Sequence, residues 1–293
     1  MPRLIILGCG ALGRRVSRLA LDAGWTVDAL VRSPGGVANL HGLGLRTVVA
    51  ADIAGTGWHG DLDPTGALVL GCVAPGAPDI DTYRHTYAGG AASIAHWLHG
   101  RNAAGLLWTS STSVYGATDG SWADESSPVL TDSPAEAALL AAESILLAPD
   151  GDWPVACVLR CAALHDPVER PLRMVPHILA GRPMPGRPDT FLNLLHLDDA
   201  AAAHWLCLQA MCRHDAIPAR SRFNLSDGTP ATRATLASAL ATRLGRPCPP
   251  FDNTPASRRS QLPDGSLKNR RIDTSAFRAT FNWTPAHPGP LAP

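Results

Sequence analysis

Residues 4–13 read Leu4-Ile5-Ile6-Leu7-Gly8-Cys9-Gly10-Ala11-Leu12-Gly13, and this stretch decides the fold. The first four residues form a short apolar run of the kind buried on both faces of a parallel sheet. Three glycines follow in G-x-G-x-x-G spacing. An amphipathic stretch over 11–23 comes next, with Val16, Leu19 and Ala20 at helical spacing and Gly24 as its stop. In a strand–turn–helix unit of this type each glycine has its own duty. The first permits the tight turn, the second lets the backbone approach a pyrophosphate, and the third allows close helix–strand packing. The helix N-terminus then presents N–H groups to the phosphates. Gly8, Gly10, Ala11, Leu12 and Gly13 are therefore expected to hold a dinucleotide.

Working outward, further apolar runs at 25–31, 45–50, 67–73, 106–110 and 155–160 alternate with helical stretches. One helix is expected over 80–99, with Tyr83, Tyr87, Ile94 and Leu98 on one side. Ser133-Pro134-Ala135-Glu136 marks the start of another, with Ser as N-cap, Pro at the first helical position and Glu at the third. Strands alternating with helices imply βαβ units, hence an α/β Rossmann-type doubly wound parallel sheet. The second half changes character. Pro and Arg rise across 166–188, residues 191–197 read as a strand, and Asp198 can cap a helix over 199–212. A further helix is expected at 231–244, introduced by Thr229-Pro230. The expected organisation is a dinucleotide-binding domain from 1–163 and 191–214, with a smaller C-terminal substrate-capping domain from 164–190 and 215–293.

The end of the second strand reads Leu30-Val31-Arg32-Ser33. A site for NAD usually places a carboxylate there to hold the ribose 2′-hydroxyl. Asp28 is acidic but lies near the start of that strand. Arg32 instead offers a planar fork for a 2′-phosphate, and Ser33 can add a hydroxyl. These residues point to NADP ahead of NAD. Asp52, closing the third strand, is a candidate adenine contact, or simply the cap of a turn.

Composition excludes several classes. The 293 residues carry 25 Lys and Arg against 25 Asp and Glu, a formal net charge of zero, which gives no electrostatic footprint for nucleic acid or an anionic membrane. No apolar run reaches the ~18 residues of a membrane span. The N-terminal run is too short for a secretion signal and is followed by Arg14-Arg15. Seven irregularly spaced cysteines without Cys-x-x-Cys read as reduced thiols of a cytoplasmic protein. Cys157, Cys161 and His165 do not have the spacing of a zinc site, and no metal is expected. The partner is expected to be a small molecule, and the protein a monomer or homodimer.

The second informative run is Leu106-Leu107-Trp108-Thr109-Ser110-Ser111-Thr112-Ser113-Val114-Tyr115-Gly116, a buried strand ending in hydroxyls at the edge where ligands bind in this fold. With its Ser-Ser-x-x-Val-Tyr-Gly pattern the chain resembles the NAD(P)-dependent epimerase/dehydratase branch of the short-chain dehydrogenase/reductases. Val158-Leu159-Arg160, His196-Leu197-Asp198-Asp199-Ala200 and Phe223-Asn224-Leu225 extend the likeness over nearly the whole chain. The resemblance implies an oxidoreductase or epimerase acting on a hydroxyl or carbonyl, with a nucleotide sugar as one candidate substrate. It also assigns Ser111 to the family's catalytic hydroxyl, and Tyr115 follows four residues later as a candidate acid.

The departures matter as much. The family carries Tyr-x-x-x-Lys on the helix after the hydroxyl strand, where the lysine makes the phenol a usable base; an unassisted tyrosine near pKa ~10 is a poor one. Matched through Ser133-Pro134 and Glu143, the two positions hold Ala135 and Leu139. The only lysine is Lys268, preceded four residues earlier by Asp264. Two functions stay open at this point: an NAD(P)-dependent enzyme working without the pair, and a non-catalytic NADP(H) sensor. Ser111, Tyr115, His196 and Arg160 each also have a purely structural explanation, as a strand-end hydroxyl, a packed ring, a helix-start hydrogen bond and an ion pair.

Overall fold

The structure is a computed structural model that describes residues 1–213, 217–256, 261–262, 264–287 and 289. A seven-stranded parallel sheet organises it. The strands are β1 (Arg3–Leu7), β2 (Thr26–Val31), β3 (Thr47–Ala50), β4 (Leu68–Gly71), β5 (Gly105–Ser111), β6 (Ala156–Cys161) and β7 (Arg220–Leu225). Their spatial order is β7-β6-β5-β4-β1-β2-β3. The chain runs outward from β1 to β3, then returns to β4 on the other side of β1. That reversal places the topological switch point between β1 and β4, where open α/β sheets bind ligands beyond the strands' carboxyl ends. Leu7 is in register with both Leu30 and Gly71.

The central strands form here because their apolar runs are buried on both sides: in β1, Leu4, Ile5, Ile6 and Leu7 have no exposed surface. One core cluster gathers Ile5, Leu7, Val69, Leu106 and Val158 with Trp58, Trp97, Trp108 and Trp153. Gly71 opposes Trp108 across β4 and β5, and any side chain there would collide with the indole. Asp28 is buried in β2, held by Arg3 Nε at 3.1 Å and Arg46 Nε at 2.9 Å. Burial raises its pKa, but the hydrogen bonds from Arg46, Arg3 and Thr47 outweigh that and hold it below the usual carboxylate range.

The helices are α1 (Ala11–Asp22), α2 (Pro34–Ala38), α3 (Ile80–Tyr83), α4 (Gly90–Leu98), α5 (Pro134–Leu146), α6 (Met174–Ala180), α7 (Leu197–Arg213), α8 (Arg233–Arg243) and α9 (Ser275–Phe281). Pro134 and Glu136 occupy the first and third helical positions, as the sequence requires. Three details differ from expectation. The helix over 80–99 is interrupted by a π turn, Arg84–Gly89. The turn re-phases the helix, so that Tyr83 and Tyr87 face Ala135 and Ala138 while Gly89 and Gly90 lie against Ala54 and Ile53. The strand over 191–197 is split into Phe191–Leu192 and Leu194–His196. Asn193 interrupts it, accepting from Ile272 N–H and donating to the Arg270 carbonyl. Helix α7 starts before Asp198, whose own N–H donates to His196 Nδ1 at 3.2 Å; the imidazole, not the carboxylate, meets the helix start.

The chain forms two compact units. The first contains Met1–Ser111, Pro134–Arg160 and Ala200–Phe223, and the second Thr112–Ser133, Cys161–Asp199 and Asn224–Pro293. Residues 112–133 thus group with the second unit, whereas the sequence boundaries put them in the first. They pair with late residues: Trp122–Ala123 lies parallel to Arg271–Ile272. The second unit has its own core, with Met174, Ile178, Met184 and Leu194 packed on Leu236, Ala237 and Leu240.

Candidate functional site

The three glycines of the turn meet different surroundings. Gly8 has φ +88°, the left-handed region glycine favours, and a Cβ there would meet Val73 Cα at 2.8 Å. A Cβ on Gly13 would lie 3.1 Å from Ile6 Cγ2, so α1 sits directly on β1. Gly10 is different: a Cβ there would meet nothing closer than Gly8 O at 3.9 Å. Packing within the protein does not demand glycine at this position, so the bare backbone is free for a group lying above it. Gly10 is also the N-cap of α1, makes no side-chain cap bond, and is followed by a first turn without acidic residues. Ala11 and Leu12 start the helix. An uncapped helix start under a glycine cradle fits a pyrophosphate.

Arg32 and Ser33 are exposed just beyond β2. The Arg32 guanidinium lies over Gly76, where a side chain would displace it. Ser33 precedes α2 but makes no cap bond. Asp52 follows β3, accepts from Ala54 N–H at 3.0 Å and pairs with His85 Nε2 at 2.6 Å. Partial burial raises its pKa, but the His85 and Ala54 hydrogen bonds and the charges of His85 and Arg32 bring it below the ordinary value. Gly8, Arg32 and Asp52 therefore follow the carboxyl ends of three neighbouring strands, β1, β2 and β3.

Ser110 and Ser111 end β5. Ser110 is buried and its Oγ donates to Glu143 Oε1 at 2.6 Å. Glu143, also buried, accepts from Arg160 Nε at 3.0 Å and Nη2 at 2.6 Å, and Arg222 Nε approaches at 3.4 Å. Arg160 is thus the structural cation of an ion pair. Because strand side chains alternate, Ser111 is directed opposite to Ser110; it is partly exposed and leads into the Thr112–Val114 turn. Tyr115 is wholly buried in the second unit, and its hydroxyl donates to Asn224 Oδ1 at 2.9 Å. Glu125 holds the Asn224 N–H and Thr274 its carbonyl.

At the positions matched to the Tyr–Lys pair, Ala135 is 5% and Leu139 1% exposed, and Ala135 packs on Tyr83. Lys268 Nζ donates to the Ser113 carbonyl at 3.2 Å.

Sequence reasoning missed two clusters. One is the Ser110–Glu143–Arg160–Arg222 network, whose only signal was a charged residue ending a buried strand. The other lies in the second unit, where His196 stacks on His287 at 4.0 Å and His165 meets His196 edge-on at 5.3 Å. Burial, then the neighbouring His196, pushes His165 down to about 4. Asp199 accepts from the backbone N–H groups of Ala286 and His287. His196, Asp198 and His287 bring potential metal-ligating atoms within 4.8 Å of one another. The two imidazoles are nearly parallel at 21°, however, so their in-plane lone pairs run side by side without converging on one point.

The profile of the NAD dependent epimerase/dehydratase family matches residues 4–225, and the chain belongs to that family. No curated protein matches the sequence significantly. Among solved structures, a Methylobacillus flagellatus protein assigned as an NAD-dependent epimerase/dehydratase is 25% identical, with a TM-score of 0.76, 98% of this chain and 94% of that one being covered. The Bacillus cereus UDP-glucuronic acid 4-epimerase, in complex with UDP-glucuronic acid and NAD, is 17% identical with a TM-score of 0.78, covering 97% and 94%. The Stenotrophomonas maltophila UDP-glucose-4-epimerase, with NAD and formylated UDP-arabinopyranose, is 18% identical with a TM-score of 0.76, covering 98% and 94%.

Proposed function

We propose that the chain is an NADP(H)-linked oxidoreductase acting on a hydroxyl or carbonyl, with a nucleotide sugar as substrate class. The observation that carries it is the open space over Gly10 at the uncapped start of α1. Gly8, Gly10, Ala11, Leu12 and Gly13 would hold the pyrophosphate. Arg32 and Ser33 would take the 2′-phosphate, and Asp52 the adenine edge. The bound nicotinamide supplies a hydride acceptor or donor. Ser111 donates a hydrogen bond to the substrate oxygen, which favours charge developing there. Tyr115, tied to Asn224, holds the turn after Ser111 in place. The nucleotide-sugar class is supported by the ligands named in the family's solved structures. We place the protein in the cytoplasm on its seven thiols; no helix among the described residues is long and apolar enough to cross a membrane.

One observation favours a second function. Ala135 and Leu139, the positions matched to the Tyr–Lys pair, are buried, which suits a dinucleotide sensor without turnover. A panel of nucleotide sugars with saturating NADP+ or NADPH separates the two. Cofactor-dependent conversion that disappears in Ser111→Ala, with dinucleotide binding intact, supports the enzyme. Tight dinucleotide binding with no conversion across the panel supports the sensor.

A further inference from the structure

Two cysteines flank the switch point of the sheet. Cys9 lies inside the glycine turn after β1, and Cys72 follows β4. The two strands are adjacent and parallel, with Leu7 opposite Gly71, so Cys72 comes directly after the end of β4 and Cys9 lies in the turn beyond the end of β1. Cys72 N–H donates to Leu7 O at 2.9 Å, which continues the ladder to this point. Both thiols also point to the same face of the sheet. The place where a Gly13 Cβ would stand is 3.2 Å from Cys72 Sγ and 3.3 Å from Cys9 Sγ. The missing side chain of Gly13 therefore leaves a pit under α1 that the two sulfurs share. Both sulfurs thus lie against one point on the same side of the sheet, which is the proximity a disulfide needs.

From this geometry we propose that Cys9 and Cys72 form a reversible disulfide that switches dinucleotide binding off. The role assigned to the glycine turn under the proposed function is its premise. The oxidant is a low-molecular-weight disulfide such as glutathione disulfide. Cys72 is the partly exposed member and attacks first. Its thiolate forms a sulfur–sulfur bond to one glutathione sulfur, and the other leaves as a thiolate that takes up a proton. The Cys9 thiolate then attacks the Cys72 sulfur, and the second glutathione leaves in the same way. The two cysteines lose two electrons and two protons, and one glutathione disulfide becomes two thiols. Burial pushes the Cys9 thiol up to about 12, so closure is the slower step.

Closure acts on binding through Gly8. Cys72 Sγ donates to Gly8 O at 3.2 Å, and that same carbonyl accepts Gly10 N–H at 2.7 Å. A disulfide removes the thiol proton and draws the Cys72 sulfur toward Cys9, which shifts the carbonyl that sets the turn. A loss of about tenfold in affinity, ~1.4 kcal/mol, corresponds to one weakened charge-assisted hydrogen bond to the pyrophosphate.

The test starts from the reduced full-length protein, titrated with NADPH and NADH by fluorescence. The protein is then treated with glutathione disulfide, mapped as non-reduced peptides, and titrated again. The expected results are a Cys9–Cys72 link, about tenfold weaker binding, and recovery with dithiothreitol. Cys72→Ser keeps a hydroxyl donor toward Gly8 O and should bind normally with and without the oxidant. Cys9→Ser should stop at a stable glutathione adduct on Cys72. A second buried pair, Cys157 and Cys207, is an internal control, since hydrogen bonding between the two thiols shows that they too are neighbours. The proposal is overturned if the map shows no Cys9–Cys72 link, if the link forms without weakening binding, or if a Cys157–Cys207 link accounts for the loss. Failure of the reduced protein to bind either dinucleotide is a separate result. It removes the premise under the proposed function, while the peptide map still judges the link itself.

Discussion

Gly8 and Gly10 lie two residues apart in one motif, yet substitution should affect them through different physics. At Gly10 an alanine Cβ meets nothing closer than 3.9 Å. Losing backbone freedom in the unfolded chain favours folding by ~0.4–1 kcal/mol. Alanine is the poorer N-cap, which takes back a few tenths of that or more. Gly10→Ala should therefore change stability by less than about 1 kcal/mol. At Gly8 the left-handed φ of +88° costs about 1–2 kcal/mol for an L side chain. The Val73 backbone, 2.8 Å from the new Cβ, must also move. Gly8→Ala should lose at least ~2 kcal/mol, a Tm drop of several degrees at ~2–4 °C per kcal/mol for a chain of this class. Dinucleotide binding should order the variants differently. Gly10→Val fills the cradle and forfeits contacts to the pyrophosphate worth ~1.5–3 kcal/mol each, about ten- to hundred-fold in Kd. Thermal melts paired with calorimetric titration of NADPH and NADH read both effects. A folded Gly10→Val protein that binds like the parent would refute the pyrophosphate assignment. A Gly10→Ala variant destabilised by more than 2 kcal/mol would show that the space above Gly10 is filled by the protein itself.

Four further outcomes are expected. Arg32→Asp should weaken NADPH relative to NADH by about ten- to hundred-fold, and equal affinities in the parent protein would remove the 2′-phosphate role. Glu143→Ala strands the buried Arg160 beside a second cation, Arg222, and should cost ~3–5 kcal/mol in urea denaturation; a loss below ~1 kcal/mol would mean that water solvates the stranded guanidinium. Ala135→Tyr combined with Leu139→Lys should yield unfolded or strongly destabilised protein, because both side chains enter the core; a soluble double variant with unchanged Tm would show that the helix face is open. His204 is wholly buried between Ala200 O at 2.7 Å and Thr109 Oγ1 at 2.9 Å. Burial holds it at about 4, below its value in the unfolded chain. The unfolded state therefore takes up a proton first. The contribution is intact above pH ~6.5 and shrinks by up to ~1.4 kcal/mol per unit as pH falls toward 4; His204→Gln should flatten that part of a stability–pH curve.

Most of the Rossmann-type sheet was legible because its central strands are buried on both faces and read as plain apolar runs, and because the glycine spacing follows from backbone geometry alone; the edge strand β7, Arg-Ser-Arg-Phe-Asn-Leu, has no such run and escaped. Local signals also placed the start of α5, where Pro134 and Glu136 act within one turn. What escaped depends on partners far away in sequence. Asn193 breaks a strand because residues 270 and 272 need its side-chain amide. His196 displaces Asp198 at the start of α7 through a ring nitrogen whose position no periodicity reveals. Glu143 looked like one more helical acid until β5, β6 and β7 brought Ser110, Arg160 and Arg222 to it. The π turn had no sequence signal beyond Gly89-Gly90, since it resolves a conflict between two packing surfaces. Tyr115 was legible as part of a motif, but its hydroxyl partner, Asn224, lies 109 positions away.

The passage of the chain back and forth between the two units has a consequence for biosynthesis. The second unit takes residues 112–133 early and 224–293 last, and β7 reaches the sheet only at residues 220–225. Until then β6 is an unpaired edge on the emerging chain, a ready template for another chain's strand. A fragment of residues 1–160 lacks the edge strand and α7 and so leaves β6 unpaired. A ribosome must therefore release about three quarters of this protein before its larger unit can close, and overexpression should be limited by what the nascent β6 edge meets first.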